Sequence, residues 1–204
     1  MNYTQNDITV IILAGGLGRR LKGQNKGLLS FAGKTLIEHV IDRLQPQTEQ
    51  ILINANQDLP HYQLTNFPVV QDKFKNYQGP LAGILSCRAH IHTPLVLTVP
   101  CDAPLLPMDL LERMLNQYQN TTPKQLCVAH DGTRLQNLFM LFNSNKFKHL
   151  DHFFKQNHRK VSDWIRAQDY TQIDFSDVQA QFINVNTEET LNALKQKFNS
   201  NEYK

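Results

Sequence analysis

The first strong pattern is Ile8-Thr9-Val10-Ile11-Ile12-Leu13, a short β-branched run that ends near glycine and predicts a buried strand. Past the Ala32-Gly33 turn, Leu36, Ile37, Val40, Ile41 and Leu44 recur at helical spacing until Pro46 stops the run. Gln50 to Asn56 and Phe67 to Asp72 read as two more strands, each closing on polar groups. Pro80, suited to a first helical turn, opens a helix to about His90. A fourth strand, Leu95 to Val99, runs into Pro100-Cys101-Asp102, and a helix from Pro107 to about Tyr118 follows. Strand and helix alternate, which predicts an α/β chain with a mostly parallel sheet and helices on both faces.

The second half is less regular. Gln125 to His130 and Arg134 to Phe142 read as strands joined at Asp131-Gly132, a hairpin signal that predicts an antiparallel elaboration. Residues 146–168 read as helical and basic, Tyr170 to Phe175 as a further strand, and Phe182 to Asn186 as a short one. Thr187 begins a last helix, with Glu188 and Glu189 in its first turn, where the helix dipole favours acids. Without a repeat or a low-complexity linker, the expectation is one domain over residues 1–204, with a first half to about residue 120 and a second from about 121.

Composition narrows the class. In 204 residues, 41% are hydrophobic and 19% charged, a globular balance, and a net charge of +3 is too small to argue for nucleic acid. Three cysteines without CxxC spacing suggest neither a disulfide framework nor a zinc site. The polar Met1 to Asp7 segment is unlike a signal peptide, and no run reaches the roughly 20 apolar residues of a membrane span. A cytoplasmic location and a monomer are expected.

The candidate chemistry lies at strand ends, outside which an open parallel sheet binds its ligands. After Leu13 come Ala14, Gly15, Gly16, Gly18, Arg20 and Lys26, in a stretch whose glycines expose backbone N–H groups beside cations, as an anion cradle requires. Asn54 with Asn56, Asp72, and Asp102 end the other three strands. A carboxylate at the end of a buried strand can hold Mg²⁺; the alternative for Asp102 is a turn cap. Lys26 can neutralise a triphosphate or be a plain loop lysine. The dinucleotide fingerprint fails because Leu21 stands where its third glycine belongs, and Walker A fails because Leu28 stands where its first belongs. Between Lys146 and Lys160 there are five Lys and Arg against Asp151, which suits an anionic ligand or a solvated helix face. Phe153, Phe154 and Trp164 can shelter a ring or fill a core.

Leu13-Ala14-Gly15-Gly16-x-Gly18-x-Arg20, followed by Lys26-Gly27, resembles the signature loop of nucleotidyltransferases. With Asn54-Ala55-Asn56, Gln71-Asp72, Gly79-Pro80-Leu81-Ala82-Gly83, Pro100-Cys101-Asp102-Ala103-Pro104, His130-Asp131-Gly132 and Asn184-Val185-Asn186-Thr187, the chain is similar to the molybdenum cofactor guanylyltransferases nearly end to end. The resemblance implies a Rossmann-like three-layer α/β/α nucleotidyltransferase fold, GTP and molybdenum-loaded molybdopterin as substrates, and Mg²⁺. It implies transfer of GMP to the pterin with release of pyrophosphate, and transient contacts with molybdenum-insertion and cofactor-delivery proteins. By motif, Leu13, Ala14, Gly15, Gly16, Gly18, Arg20, Lys26, Asn54 and Asp72 fall to the nucleotide, Asp102 to the nucleotide and its metal, and Lys26 and Asp102 to catalysis. Arg159, Lys160, Asn184 and Asn186 fall to the acceptor. Cytidylyl and sugar-phosphate nucleotidylyltransferases share the glycine loop, and a non-catalytic nucleotide-binding partner is the alternative from another class. The chain departs from the family pattern at Asn25, where Asp is common before the lysine, at Leu21-Lys22-Gly23, and at Asn137, where proline is typical.

Overall fold

The computed structural model describes residues 2–16, 25–121 and 126–199, the last three as backbone. In chain order the elements are β1 (Ile8–Leu13), β2 (Ser30–Phe31), β3 (Lys34–Thr35), α1 (Leu36–Leu44), β4 (Ile51–Asn54), α2 (Leu59–Gln63), β5 (Val69–Val70) and α3 (Pro80–Cys87). There follow β6 (Leu95–Pro100), α4 (Leu110–Asn120), β7 (Leu126–His130), β8 (Leu135–Asn143), α5 (Phe147–Lys155), α6 (Val161–Arg166), β9 (Tyr170–Asp174) and α7 (Glu188–Asn199).

Seven strands form one sheet in the order β5-β4-β1-β6-β8-β7-β9. The first four are parallel, β8 runs antiparallel to both β6 and β7, and β9 is parallel to β7. The expected mostly parallel α/β sheet with an antiparallel second half is what the chain builds. β1 is buried along its whole length, so both of its faces need cover. Its alternate residues supply it: Ile8, Val10 and Ile12 pack with Ile37, Val40 and Leu44 of α1 and Leu111 and Met114 of α4. Ile11 and Leu13 pack instead with Leu81 and Ile84 of α3, Leu150 of α5 and Trp164 of α6. Helix, sheet and helix are therefore three layers, set by the period of two along the central strand.

Local chemistry explains where elements start and stop. Thr35 and Glu38 close a reciprocal capping box at the start of α1. The buried Gln47 side chain accepts from the Leu111 N–H at 2.8 Å and donates to the Pro107 carbonyl at 3.1 Å. The helix expected from Pro107 thus begins at Leu110, with its first turn served from α1's exit. Residues 146–168 are two helices, because Asn157 takes a left-handed φ of +66° that ends α5, and Arg159 donates to the Phe154 carbonyl. Phe153, Phe154 and Trp164 are core residues.

One expected strand is absent. Phe182 to Asn186 forms no ladder; a 3₁₀ segment, Ser176–Phe182, leads into extended chain. Both edges of β6 are already taken by β1 and β8, so this segment crosses the strand ends instead, held by Val185 N–H on the Asp102 carbonyl at 2.8 Å. Two short elements were not foreseen: α2, and the β2–β3 hairpin around Ala32 and Gly33, both at positive φ.

The Asp131-Gly132 turn joins β7 to β8 as expected. Asp131 Oδ1 accepts the N–H groups of Thr133 and Arg134, each at 2.8 Å, and Oδ2 accepts Gln136 Nε2 at 2.6 Å. Burial disfavours the charge, yet these hydrogen bonds outweigh it and bring the carboxyl down to about 2 from an ordinary 3.8. A carboxyl depressed in the fold stabilises it fully above the unfolded value and loses that contribution as pH falls from about 4 to about 2. About 2 kcal/mol is involved at roughly 1.4 kcal/mol per unit. Thermal melts from pH 5 to 2 should show the stability gap between wild type and Asp131→Asn narrowing across that window.

Candidate active site

The parallel register aligns the strand ends. Leu13 pairs with Asn54 and with Pro100, and Asn54 pairs with Val70. Two residues beyond that row, on each strand in turn, stand Asp72, Asn56, Gly15 and Asp102. A step of two keeps side chains on one face of a strand, so the register itself collects these four positions on one edge.

Asp72, Gly15 and Asp102 border a cavity of about 560 Å³, the size of a small-molecule site, and Asn56 stands behind Asp72. Leu13, Ala14, Gly15, Gly16, Lys26, Asn54, Asp72, Asp102 and Asn186 line it, so these motif-assigned residues come together. Gly18 and Arg20 lie outside the described residues. Asn184, Arg159 and Lys160 are not among the lining residues. Asn184 donates to the Phe182 carbonyl at 3.3 Å, Lys160 precedes α6 and is exposed, and the Arg159 guanidinium lies 3.9 Å over the Phe154 ring. Tyr77, Leu138 and Cys101, which no motif assigns to the site, also line the cavity. Cys101 borders Asp102 in a quoted motif and could have been found; Tyr77 gave no signal of its own.

At the β6 end the chemistry is ionic. Lys26 Nζ lies 3.1 Å from Asp102 Oδ2 and 2.5 Å from Asn186 Oδ1. Burial pushes the Asp102 carboxyl up from its usual range, and the Lys26 ammonium opposes that shift. Burial also pushes the Cys101 thiol up, so it stays neutral and is no thiolate nucleophile. Lys26 is set by its neighbours. Tyr62 donates its hydroxyl to Asn25 Oδ1 at 2.5 Å, and Asn25 Nδ2 donates to Asp58 at 3.1 Å. A Cβ on Gly27 would lie 2.5 Å from the Tyr62 hydroxyl, so glycine is required for that approach.

At the β5 and β4 end the chemistry is a hydrogen-bonded amide and carboxylate cluster. Asn54 and Asn56 donate to separate oxygens of Asp72, each at 2.9 Å, and Asp72 N–H returns a bond to Asn56 Oδ1 at 2.8 Å. Asn54 also holds the Val70 carbonyl. Among the described residues no group of three His, Cys, Asp or Glu forms a metal cage. The Asp102 carboxylate nevertheless suits a hard divalent ion, which takes one or two carboxylates and completes its shell with phosphate and water.

A family model described as a MobA-like NTP transferase domain matches residues 10–172. A molybdenum cofactor guanylyltransferase of Shewanella piezotolerans is 41% identical over 189 residues, 93% of this chain and 92% of that protein. The chain belongs to the molybdenum cofactor guanylyltransferase family. A second member, from Shewanella putrefaciens, is 40% identical over 180 residues, 88% of this chain and 92% of its own. Molybdopterin-guanine dinucleotide biosynthesis protein A of Archaeoglobus fulgidus has the same fold, with a TM-score of 0.76 at 19% identity over 94% of this chain and 99% of its own. A cytidylyltransferase of Leptospira borgpetersenii also scores 0.76, at 14% identity over 96% of this chain and 87% of its own. The fold is thus common to transferases of different nucleotides, and the guanylyltransferase family is set by the sequence match.

The glycines of the family motifs have a visible purpose here. A Cβ on Gly83 of α3 would fall 2.2 Å from Asn54 Oδ1, and one on Gly15 would fall 2.8 Å from Asn56 Nδ2. The amide cluster therefore fits only against two bare backbones. Gly83→Ala should push Asn54 off Asp72 and cost about 1–3 kcal/mol, read as a drop of several degrees in melting temperature.

Proposed function

We propose that the chain catalyses transfer of GMP from GTP to the terminal phosphate of molybdenum-loaded molybdopterin, forming the guanine dinucleotide cofactor and releasing pyrophosphate. The observation that carries this reading is the Lys26–Asp102–Asn186 contact inside the cavity at the parallel strand ends. Family membership supplies the guanylyl chemistry; the geometry supports where it happens. We read the chain as a single nucleotidyltransferase unit acting in the cytoplasm, with residues to about 120 on the nucleotide and the remainder on the acceptor.

An oxygen of the pterin phosphate attacks the α-phosphorus of GTP. The new P–O–P bond forms as the bond to the β-phosphate breaks, and pyrophosphate leaves with the electron pair. The attacking oxygen is already ionised, so the chain needs no strong general base, and its task is positioning and neutralising charge. The Lys26 ammonium, released from Asp102 and Asn186, compensates the charge on the triphosphate. The N–H groups of Gly15 and Gly16, at the cavity wall, are placed for the phosphates. Asp72, steadied by Asn54 and Asn56, offers acceptor oxygens to the base edge, and guanine presents N–H donors there. Mg²⁺, when bound, would sit on Asp102 and supply Lewis-acid charge to the phosphates. Asn186 reaches this same cavity from the segment assigned to the acceptor, so both substrates meet near Lys26.

Pyrophosphate release measured with loaded molybdopterin and each nucleoside triphosphate should show turnover with GTP well above that with CTP or UTP; equal or better turnover with CTP would refute the guanylyl assignment. Asp102→Asn should retain its fold and lose dinucleotide formation. Lys26→Ala should slow turnover at least tenfold, about 1.4 kcal/mol or more of transition-state stabilisation. Wild-type rates in either variant would remove that residue from the mechanism.

A further inference from the structure

Tyr77 stands at the cavity and is 41% exposed, unusual for a large aromatic in this chain, where most are buried. Its backbone is stranger still. Asn76 has φ +67°, Tyr77 +44° and Gly79 +83°. Asparagine and glycine tolerate the left-handed region, but a bulky side chain there is an outlier that the surroundings must hold in place. An ordinary surface tyrosine has no need of it.

The surroundings do hold it, from both sides. Gln57 Nε2, one residue beyond the amide cluster on the β4 strand end, donates to the Tyr77 hydroxyl at 2.8 Å. On the other side, Arg159 Nε donates to Gln78 Oε1 at 2.7 Å while its guanidinium stacks on Phe154. Phe74, at the start of the same loop, packs on Phe154 with ring centroids 4.6 Å apart. Arg159, read by motif as an acceptor contact, is thus found fastening the loop that carries Tyr77.

Position along the sheet says what the ring would meet. The charged group that suits phosphate, Lys26 with Asp102, lies at the β6 end, while Tyr77 follows β5, three strands away. Three interstrand spacings of about 4.8 Å make about 14 Å, the span from the phosphates of a nucleoside triphosphate to its base. Beside Tyr77 is the Asp72 cluster, whose acceptor oxygens suit a base edge, and the glycine-lined start of the β1 loop leaves room opposite. A base needs an apolar surface for its flat face as well as partners for its edge.

We propose that Tyr77 is the platform on which the nucleobase stacks, and that Gln57 and Arg159 are positioning residues that hold it there. The proposal rests on reading the cavity as a nucleoside triphosphate site. Tyr77 sorts substrates little by itself, because stacking accepts any base; it fixes the base plane so that the Asp72 edge does the sorting.

Calorimetric titration of the full chain with GTP, CTP and inorganic tripolyphosphate tests this. Tyr77→Ala should raise the Kd for GTP about tenfold and leave that for tripolyphosphate unchanged, since it lacks a base; Tyr77→Phe, which keeps the ring and loses the Gln57 bond, should fall between wild type and alanine. Tyr77→Gly, which suits the left-handed backbone, should show the same selective loss with an unchanged or higher melting temperature, and it carries the test if the alanine variant folds poorly. An unaltered Kd for GTP, or equal weakening of GTP and tripolyphosphate, would overturn the platform. If wild type preferred CTP, the guanylyl reading would fail separately, and a selective loss of CTP in the Tyr77 variants would still uphold the platform.

Discussion

The candidate site's edge depends on one constraint, the common register of four parallel strands. Because Leu13, Asn54, Val70 and Pro100 lie in one row, the residues two steps on must share an edge whatever the loops do. Hydrophobic burial fixes that register, since a one-residue slip of β1 would turn Ile8, Val10 and Ile12 away from α1 and α4. The force that folds the chain is thus the force that assembles its polar groups. No separate energy is required to bring Asp72 and Asp102 to the same cavity.

What that edge does require is compensation for burying charge. Asp102 is desolvated and answered by Lys26, while Asp72 is answered by two amides and its own backbone link to Asn56. The two carboxylates therefore differ in kind. One is paired with a lysine that can give way to a metal cation and turn to a phosphate itself; the other is held by amide donors with fixed acceptor directions. A triphosphate lying across the sheet would meet exchangeable charge at one end and rigid hydrogen-bonding geometry at the other. That polarity suits a reaction in which charge moves at the phosphates while the base stays still.

Much of this was legible in the sequence, for identifiable reasons. β1, α1, β6 and the Asp131 hairpin are written in local periodicity and turn chemistry, so they could be read directly. Asn54, Asp72 and Asp102 could be placed on one edge because strand ends and parallel topology suffice for it. The Phe182 to Asn186 segment misled because its β-type residues carry no mark of whether a neighbouring strand edge is free, and here β1 and β8 had taken both edges of β6. Tyr77 was invisible because its significance lies in a backbone angle and in partners from β4 and from the α5–α6 elbow. The break at Asn157 is the kind of detail that a run of helix-compatible residues hides.

Asn25 shows how a departure from a family pattern becomes intelligible once the partners are known. The family commonly places aspartate before the lysine, and asparagine at this position carries no charge. In the fold the side chain uses both halves of its amide, accepting from Tyr62 and donating to Asp58. An aspartate could take the first role but would set a second carboxylate against Asp58 in the other. With Asp58 present, the amide is the residue that can bridge the two, and it anchors the short turn from which Lys26 reaches Asp102. The substitution and its partner therefore form one unit, whose effect is to hold the backbone of Lys26 through Tyr62 while leaving its ammonium free to change partners.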